Sequence, residues 1–112
     1  MKDDKVYLSH MLDMCGRLGS IVGYGLQQFL ADHVLQDAAL RNLHTLTETS
    51  QRLTDELKTA HPEIDWKTLA RFRNVVVHDY LGLDLELIWT VMSSDIPELG
   101  QRIQAILGDT KR

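Results

Sequence analysis

The chain reads as an all-α protein, an up-and-down bundle of four to five main helices. Three observations predict this. Apolar residues recur at three- and four-residue steps through every long segment, the stripe of an amphipathic helix. Only two prolines and seven glycines interrupt 112 residues, leaving room for long helices. No alternating strand pattern competes: Val75-Val76-Val77 is β-branched but short, and it lies within helical phasing.

The first helix is expected from about Val6 to Val22, with Leu8, Met11, Leu12, Cys15, Leu18 and Val22 on one face. Gly19, Gly23 and Gly25 loosen its end, and Leu26 to Leu30 forms a short helical turn. Asp32 caps the next helix. Leu35, Ala39, Asn42, Leu43, Leu46, Leu53, Leu57 and Ala60 keep one phase, so that helix is expected to run unbroken until His61-Pro62 stops it. Asp65 caps a fourth helix, with Ile64 and Leu69 placed as a hydrophobic staple. It should reach about Tyr80 and end near Gly82. Asp84 repeats the arrangement, with Leu83 and Ile88 as its staple pair. Asp95-Ile96-Pro97 is expected to restart a last helix through Leu107, with Leu99, Ile103, Ile106 and Leu107 facing inward. Residues 109–112 read as a frayed tail.

The length suits one domain over residues 1–112. A hydrophobic content of 44% with 25% charged residues is that of a soluble globular chain, and nothing approaches a membrane span. The charged start, Met1 to Lys5, leads directly into the amphipathic pattern, with no signal peptide in view. Cys15 is the sole cysteine, which excludes an internal disulfide and suits a cytoplasmic setting. A net charge of −4 argues against a broad, sequence-blind nucleic-acid binder but leaves room for local arginines that grip a few phosphates.

One run carries chemistry: Arg73-Asn74-Val75-Val76-Val77-His78-Asp79-Tyr80, with spacing R-x-x-x-x-H-x-Y. Arginine is a fixed cation suited to phosphate, and histidine exchanges protons near neutrality. Together they form a minimal kit for cutting a phosphodiester without a metal or cofactor. His78 would serve as general base on a ribose 2′-hydroxyl or as general acid on the leaving 5′-oxygen. Arg73 would neutralise charge growing on the phosphoryl oxygens. Asn74 would orient the His78 ring, and Tyr80 would position phosphate.

The products would be a 2′,3′-cyclic phosphate and a 5′-hydroxyl. At 100° per residue, Arg73 and His78 stand roughly 140° apart around an ideal helix. A distorted helix, converging long side chains or a second protomer would reconcile them, and the last two together are favoured because symmetric dimers are the commonest oligomers. Taken alone, the spacing is weak evidence and favours the plainer reading of a surface arginine, a half-buried histidine and a tyrosine at a helix end.

The surrounding blocks extend the signal. Leu30-Ala31-Asp32 with Leu35 to Leu43, then His61 to Trp66, then Phe72 to Tyr80, then Leu83 to Trp89 occur in that order. In these blocks the chain resembles the HepT-like ribonuclease family, the toxin branch of the HEPN superfamily, over roughly residues 5–107. The resemblance implies a HEPN-like α-helical homodimer acting as an RNase toxin on mRNA or tRNA. It also implies an MntA-like minimal nucleotidyltransferase antitoxin, with the homodimer and a higher hetero-oligomer with that antitoxin both left open. In that family the antitoxin can transfer AMP to the motif tyrosine, here Tyr80. The chain departs from the family at Thr47 and Thr49, where many relatives carry small residues, and at Arg71, an added cation two residues before Arg73.

Arg41 and Arg71 are further candidates for a phosphate or partner contact. For Arg41 a structural pairing with Asp37, one turn earlier, is the competing reading. His33 with Asp37 and His44 with Glu48 share the same spacing, but two ligands do not make a metal site. Trp66 and Trp89 read as core or interface anchors, and Cys15 as a small buried hydrophobe. Two other functions stay open beside the RNase. One is a non-catalytic nucleotide- or substrate-binding subunit of a two-component nucleotidyltransferase. The other is a structural bundle. The joint presence of Arg73, Asn74, His78 and Tyr80 favours the enzyme.

Overall fold

Asp3 and Asp4 occupy the first turn of α1 (Lys2–Val22), where carboxylates complement the exposed N–H groups and the dipole of a helix start. The computed structural model describes residues 2–78 and 84–110, with side chains described for 3–72 and 84–108. Six more helices follow α1: α2 (Leu26–Ala31), α3 (His33–Ser50), α4 (Asp55–Ala60), α5 (Trp66–His78), α6 (Leu85–Thr90) and α7 (Ile96–Thr110). No strand occurs among the described residues. The expected all-α bundle is present, with α1, α3, α5 and α7 as its long members.

Leu8, Met11, Met14, Cys15, Leu18 and Ile21 form the buried face of α1, which packs between α3 and α7. Ala39, Leu40, Leu43 and Leu46 line the inner face of α3, and Ile96, Leu99, Ile103, Ile106 and Leu107 that of α7. On its other side α3 packs against α5. The turn from α1 to α2 passes through Gly25 at φ 91°, a backbone region that favours glycine. Asp32 caps α3 by accepting from Val34 N at 2.9 Å. Gln36 Nε2 donates to the Phe29 and Leu30 carbonyls at 3.0 and 3.2 Å, satisfying the end of α2. Phe29 is fully buried and tilts against Trp89, their ring centroids 5.6 Å apart.

Two connections differ from the sequence reading. The helix expected to run from His33 to Ala60 is broken at 51–54 into α3 and α4. Leu53 and Leu57 keep the apolar phase of α3, which hides the break from the pattern. The cause is long-range: the buried Asp4 carboxylate accepts from Thr54 N at 3.0 Å and from its hydroxyl at 2.7 Å. Thr54 Oγ1 in turn accepts from Leu57 N at 3.2 Å, capping α4.

The second difference lies at Pro97. No restart occurs at Asp95, because a π turn over Val91–Asp95 joins α6 to α7 in one helical path. There Ile96 N donates to the carbonyl of Val91, five residues back. Pro97 has no N–H to donate, and its ring would crowd the Ser93 carbonyl in α register; the wider turn relieves that clash. Downstream, α7 runs through Thr110, so 109 and 110, expected in a frayed tail, are helical.

Candidate functional site

The motif helix is anchored by its N-terminus. Asp65 Oδ1 accepts from Thr68 N at 3.0 Å, and Oδ2 from the Thr68 hydroxyl at 2.6 Å. These bonds, the hydroxyl's first, hold the Asp65 carboxyl below its ordinary pKa of 3.8. Ile64 is buried just before the cap, and Leu69 packs on the core from inside the helix, as the staple requires. Trp66 Nε1 donates to the His61 carbonyl at 3.0 Å, tying α5 back to the end of α4. Arg71 Nη2 donates to Thr68 Oγ1 at 3.1 Å, so this cation leans over the cap of its own helix.

From this base α5 is regular α-helix from Trp66 to His78. Arg73, Asn74 and His78 all sit on it, in its last two turns. No π turn or break intervenes, so the offset of about 140° between positions 73 and 78 stands. Leu69 and Phe72 give the face turned to the core, while Lys67 and Arg71 are exposed on the opposite side. Positions 74 and 78 share the register of Lys67 and Arg71. Tyr80 lies outside the described residues, as do the expected helix end near Gly82 and the staple residue Leu83. Asp84 does cap α6, accepting from Glu86 N at 3.1 Å and Leu87 N at 3.2 Å. Arg41 is exposed on α3, and its carbonyl accepts from the Thr45 hydroxyl at 2.9 Å.

A cavity of about 290 Å³ separates the N-terminal half of α5 from α7. Leu43, Leu46, Leu69, Phe72 and Leu99 wall it, and Asp65, Asp95 and Glu98 contribute to its lining. Arg102 bridges the same gap: it pairs with Glu98 at 2.6 Å and donates to the Glu63 carbonyl before α5. Sequence reasoning missed Arg102, although Glu98 one turn earlier is the spacing of a helical ion pair. Thr47 is fully buried at this cavity and donates to the His44 carbonyl at 3.0 Å. Its hydroxyl is thereby accommodated where a smaller residue was expected. Thr49 donates to the Thr45 carbonyl at 2.7 Å.

Two other histidines have neighbouring carboxylate partners. His44 pairs with Glu48 at 3.4 Å, and His61 Nδ1 lies 3.2 Å from Glu63 Oε2. A backbone hydrogen bond, helped by His61, holds the Glu63 carboxyl below its ordinary value. Among the described residues no three His, Cys, Asp or Glu side chains gather as a metal site. Cys15 is buried in the α1 stripe, and burial pushes its thiol up to about 11. It is a packed hydrophobe, not a nucleophile. No described helix is long and apolar enough to cross a membrane.

Residues 11–106 match the family model for the ribonuclease HepT-like proteins. "Putative RNase TTE0752" of Caldanaerobacter subterraneus subsp. tengcongensis is 32% identical over 112 residues, covering 99% of this chain and 100% of that protein. "Probable ribonuclease HepT" of Thermococcus cleftensis is 34% identical over 80 residues, covering 71% of this chain and 73% of that protein. No solved structure matches the chain.

Proposed function

The chain belongs to the ribonuclease HepT-like family, and we propose that it is a metal-independent RNA endonuclease, the toxin of a toxin–antitoxin pair. One observation carries the reading: the family match spans 11–106, and within it Arg73 and His78 lie on a single unbroken helix held at its base by the Asp65 cap. The named relatives supply the substrate class, RNA.

In this reading His78 takes the proton of a ribose 2′-hydroxyl, and the freed oxygen attacks the adjacent phosphorus. Alternatively, His78 gives a proton to the departing 5′-oxygen as the P–O bond breaks. In either case solvent water makes the other proton transfer, and a 2′,3′-cyclic phosphate and a 5′-hydroxyl remain. Arg73 stabilises the charge on the phosphoryl oxygens, and Asn74 orients the histidine. The regular α5 favours a site shared between two protomers, because positions 73 and 78 lie about 140° apart around one helix.

The neutralising partner in this reading is an MntA-like nucleotidyltransferase. AMP attached to Tyr80 would add bulk and negative charge two residues from His78, blocking the cleft and repelling RNA phosphates. Incubation with ATP, Mg²⁺ and that enzyme should add the mass of AMP to the peptide carrying Tyr80. Full neutralisation with an unmodified tyrosine would leave complex formation as the mechanism.

The deciding test for the nuclease is an assay of antitoxin-free protein in EDTA, beside His78→Ala, with end-group analysis. Cleavage by the wild type alone, leaving cyclic phosphate, is the expected result. Absence of cleavage of total RNA and tRNA by unmodified protein would overturn the reading in favour of a binding subunit.

A further inference from the structure

Lys67 and Arg71 are exposed on α5, one turn apart. At 100° per residue the same stripe continues through positions 74 and 78, all four lying within about 60° of one another. From 67 to 78 the stripe rises about 16 Å. At its N-terminal end Lys67 shares an open groove with Lys58 from α4, and Pro62 and Trp66 also line it. The hydrogen bond from Trp66 to the His61 carbonyl fixes that ring in place. Neither lysine forms an ion pair among the described residues.

Arg71 spends one donor on Thr68, and a guanidinium carries several more. The two carboxylates of the groove are engaged locally, Glu63 with His61 and more weakly Arg102, Asp65 with Thr68 and more weakly Arg71.

We propose that Lys67 and Arg71 are substrate-positioning residues that hold successive phosphates of a single-stranded RNA along α5, from the Lys58–Lys67 groove towards His78. The proposal rests on the reading of His78 as the cleaving residue. Charge complementarity selects the occupant. With 12 Lys and Arg against 16 Asp and Glu the protein as a whole does not attract a polyanion, so a narrow file of cations on one helix face matters more than overall charge. A single strand can follow such a file, whereas a duplex presents two backbones and calls for a wider basic face.

The test measures binding and cleavage separately. A labelled single-stranded RNA of about twelve nucleotides is titrated with full-length protein carrying His78→Ala, at several salt concentrations. Lys67→Gln and Arg71→Gln are then added singly and together. Each should flatten the dependence of log Kd on log salt by about 0.7, the share of one phosphate contact to a single strand. Arg71→Lys should retain the wild-type slope. With His78 restored, the paired variant should raise KM several-fold while changing kcat less.

An unchanged slope and affinity in the paired variant, with the wild type still cleaving, would overturn this proposal and leave the nuclease reading intact. Salt-dependent binding through Lys67 and Arg71 without any cleavage would support the track and sink the nuclease. Equal affinity for a duplex of the same length would overturn the assignment to single strands.

Discussion

Asp4 and Thr54 stand fifty residues apart in sequence and are joined by two hydrogen bonds, the Asp4 carboxylate accepting from Thr54 N at 3.0 Å and from its hydroxyl at 2.7 Å. The carboxylate lies in the first turn of α1, and the threonine caps α4. This clasp fixes where α3 gives way to α4. It therefore fixes where the chain turns back at 61–65 to start the motif helix. Asp4→Ala should lower stability by about 1–3 kcal/mol, because it strips the acceptor from the part-buried N–H and hydroxyl of Thr54. Asp4→Asn, which keeps one acceptor, should cost less. Urea unfolding of the three proteins checks the order, and equal midpoints would show that the clasp is not stabilising.

The same clasp marks the limit of the sequence. Asp32, Asp65 and Asp84 were legible as helix starts because a cap is a local event, decided by a side chain and an N–H two or three residues on. The break at 51–54 was not legible, since Thr54 has its partner fifty residues away and Leu53 stays in phase. Pro97 was read as a restart because proline usually ends a helix; the π turn that absorbs it depends on Met92 and Ile96 being held in the core. Arg73 and His78 were legible as a motif. The Lys58–Lys67 groove was not, since the shape of the 61–65 connection that brings Lys58 and Lys67 to one groove has no residue pattern of its own.

Cys15 supplies a prediction about pH. Burial raises its thiol from 9.0 to about 11, so the folded state keeps a proton that the unfolded chain releases first. Its contribution to stability is complete below pH 9 and declines as pH climbs from about 9 to about 11. Cys15→Ala should unfold with a shallower loss over that window than the wild type, read from paired melts at pH 8 and pH 10.5. The native thiol should also alkylate far more slowly at pH 8 than the urea-unfolded chain. Equal alkylation rates would contradict the burial.

Asp65 behaves in the opposite sense. Its folded pKa lies below the ordinary 3.8, so the stabilisation it gives α5 is present above that value and fades as pH falls through the lowered one. Asp65→Ala should lower the urea midpoint at pH 6, and the gap from wild type should close as the pH approaches 2. Because this cap is the root of the helix carrying Arg73 and His78, the variant should also cut cleavage more than binding, by misplacing the reacting groups. A gap that persists unchanged at low pH would mean that the carboxylate is not the source of the capping.

The offset of about 140° between positions 73 and 78 on the regular α5 leads to a mixing experiment. Suppose each active site takes its arginine from one protomer and its histidine from the other. An Arg73→Ala chain paired with a His78→Ala chain then has one site lacking both groups and one site lacking neither. Random exchange makes about half of the dimers mixed, and half of their sites intact, so the mixture should recover about a quarter of wild-type activity. If each site is built within one protomer, every site in the mixed dimer lacks one group and activity stays at the level of the separate variants. Co-refolding the two chains at equal concentration and measuring cleavage of one RNA distinguishes these outcomes. Recovery would require a dimer, whereas its absence in a dimer of verified composition would mean that the Arg73 and His78 side chains meet around a single helix.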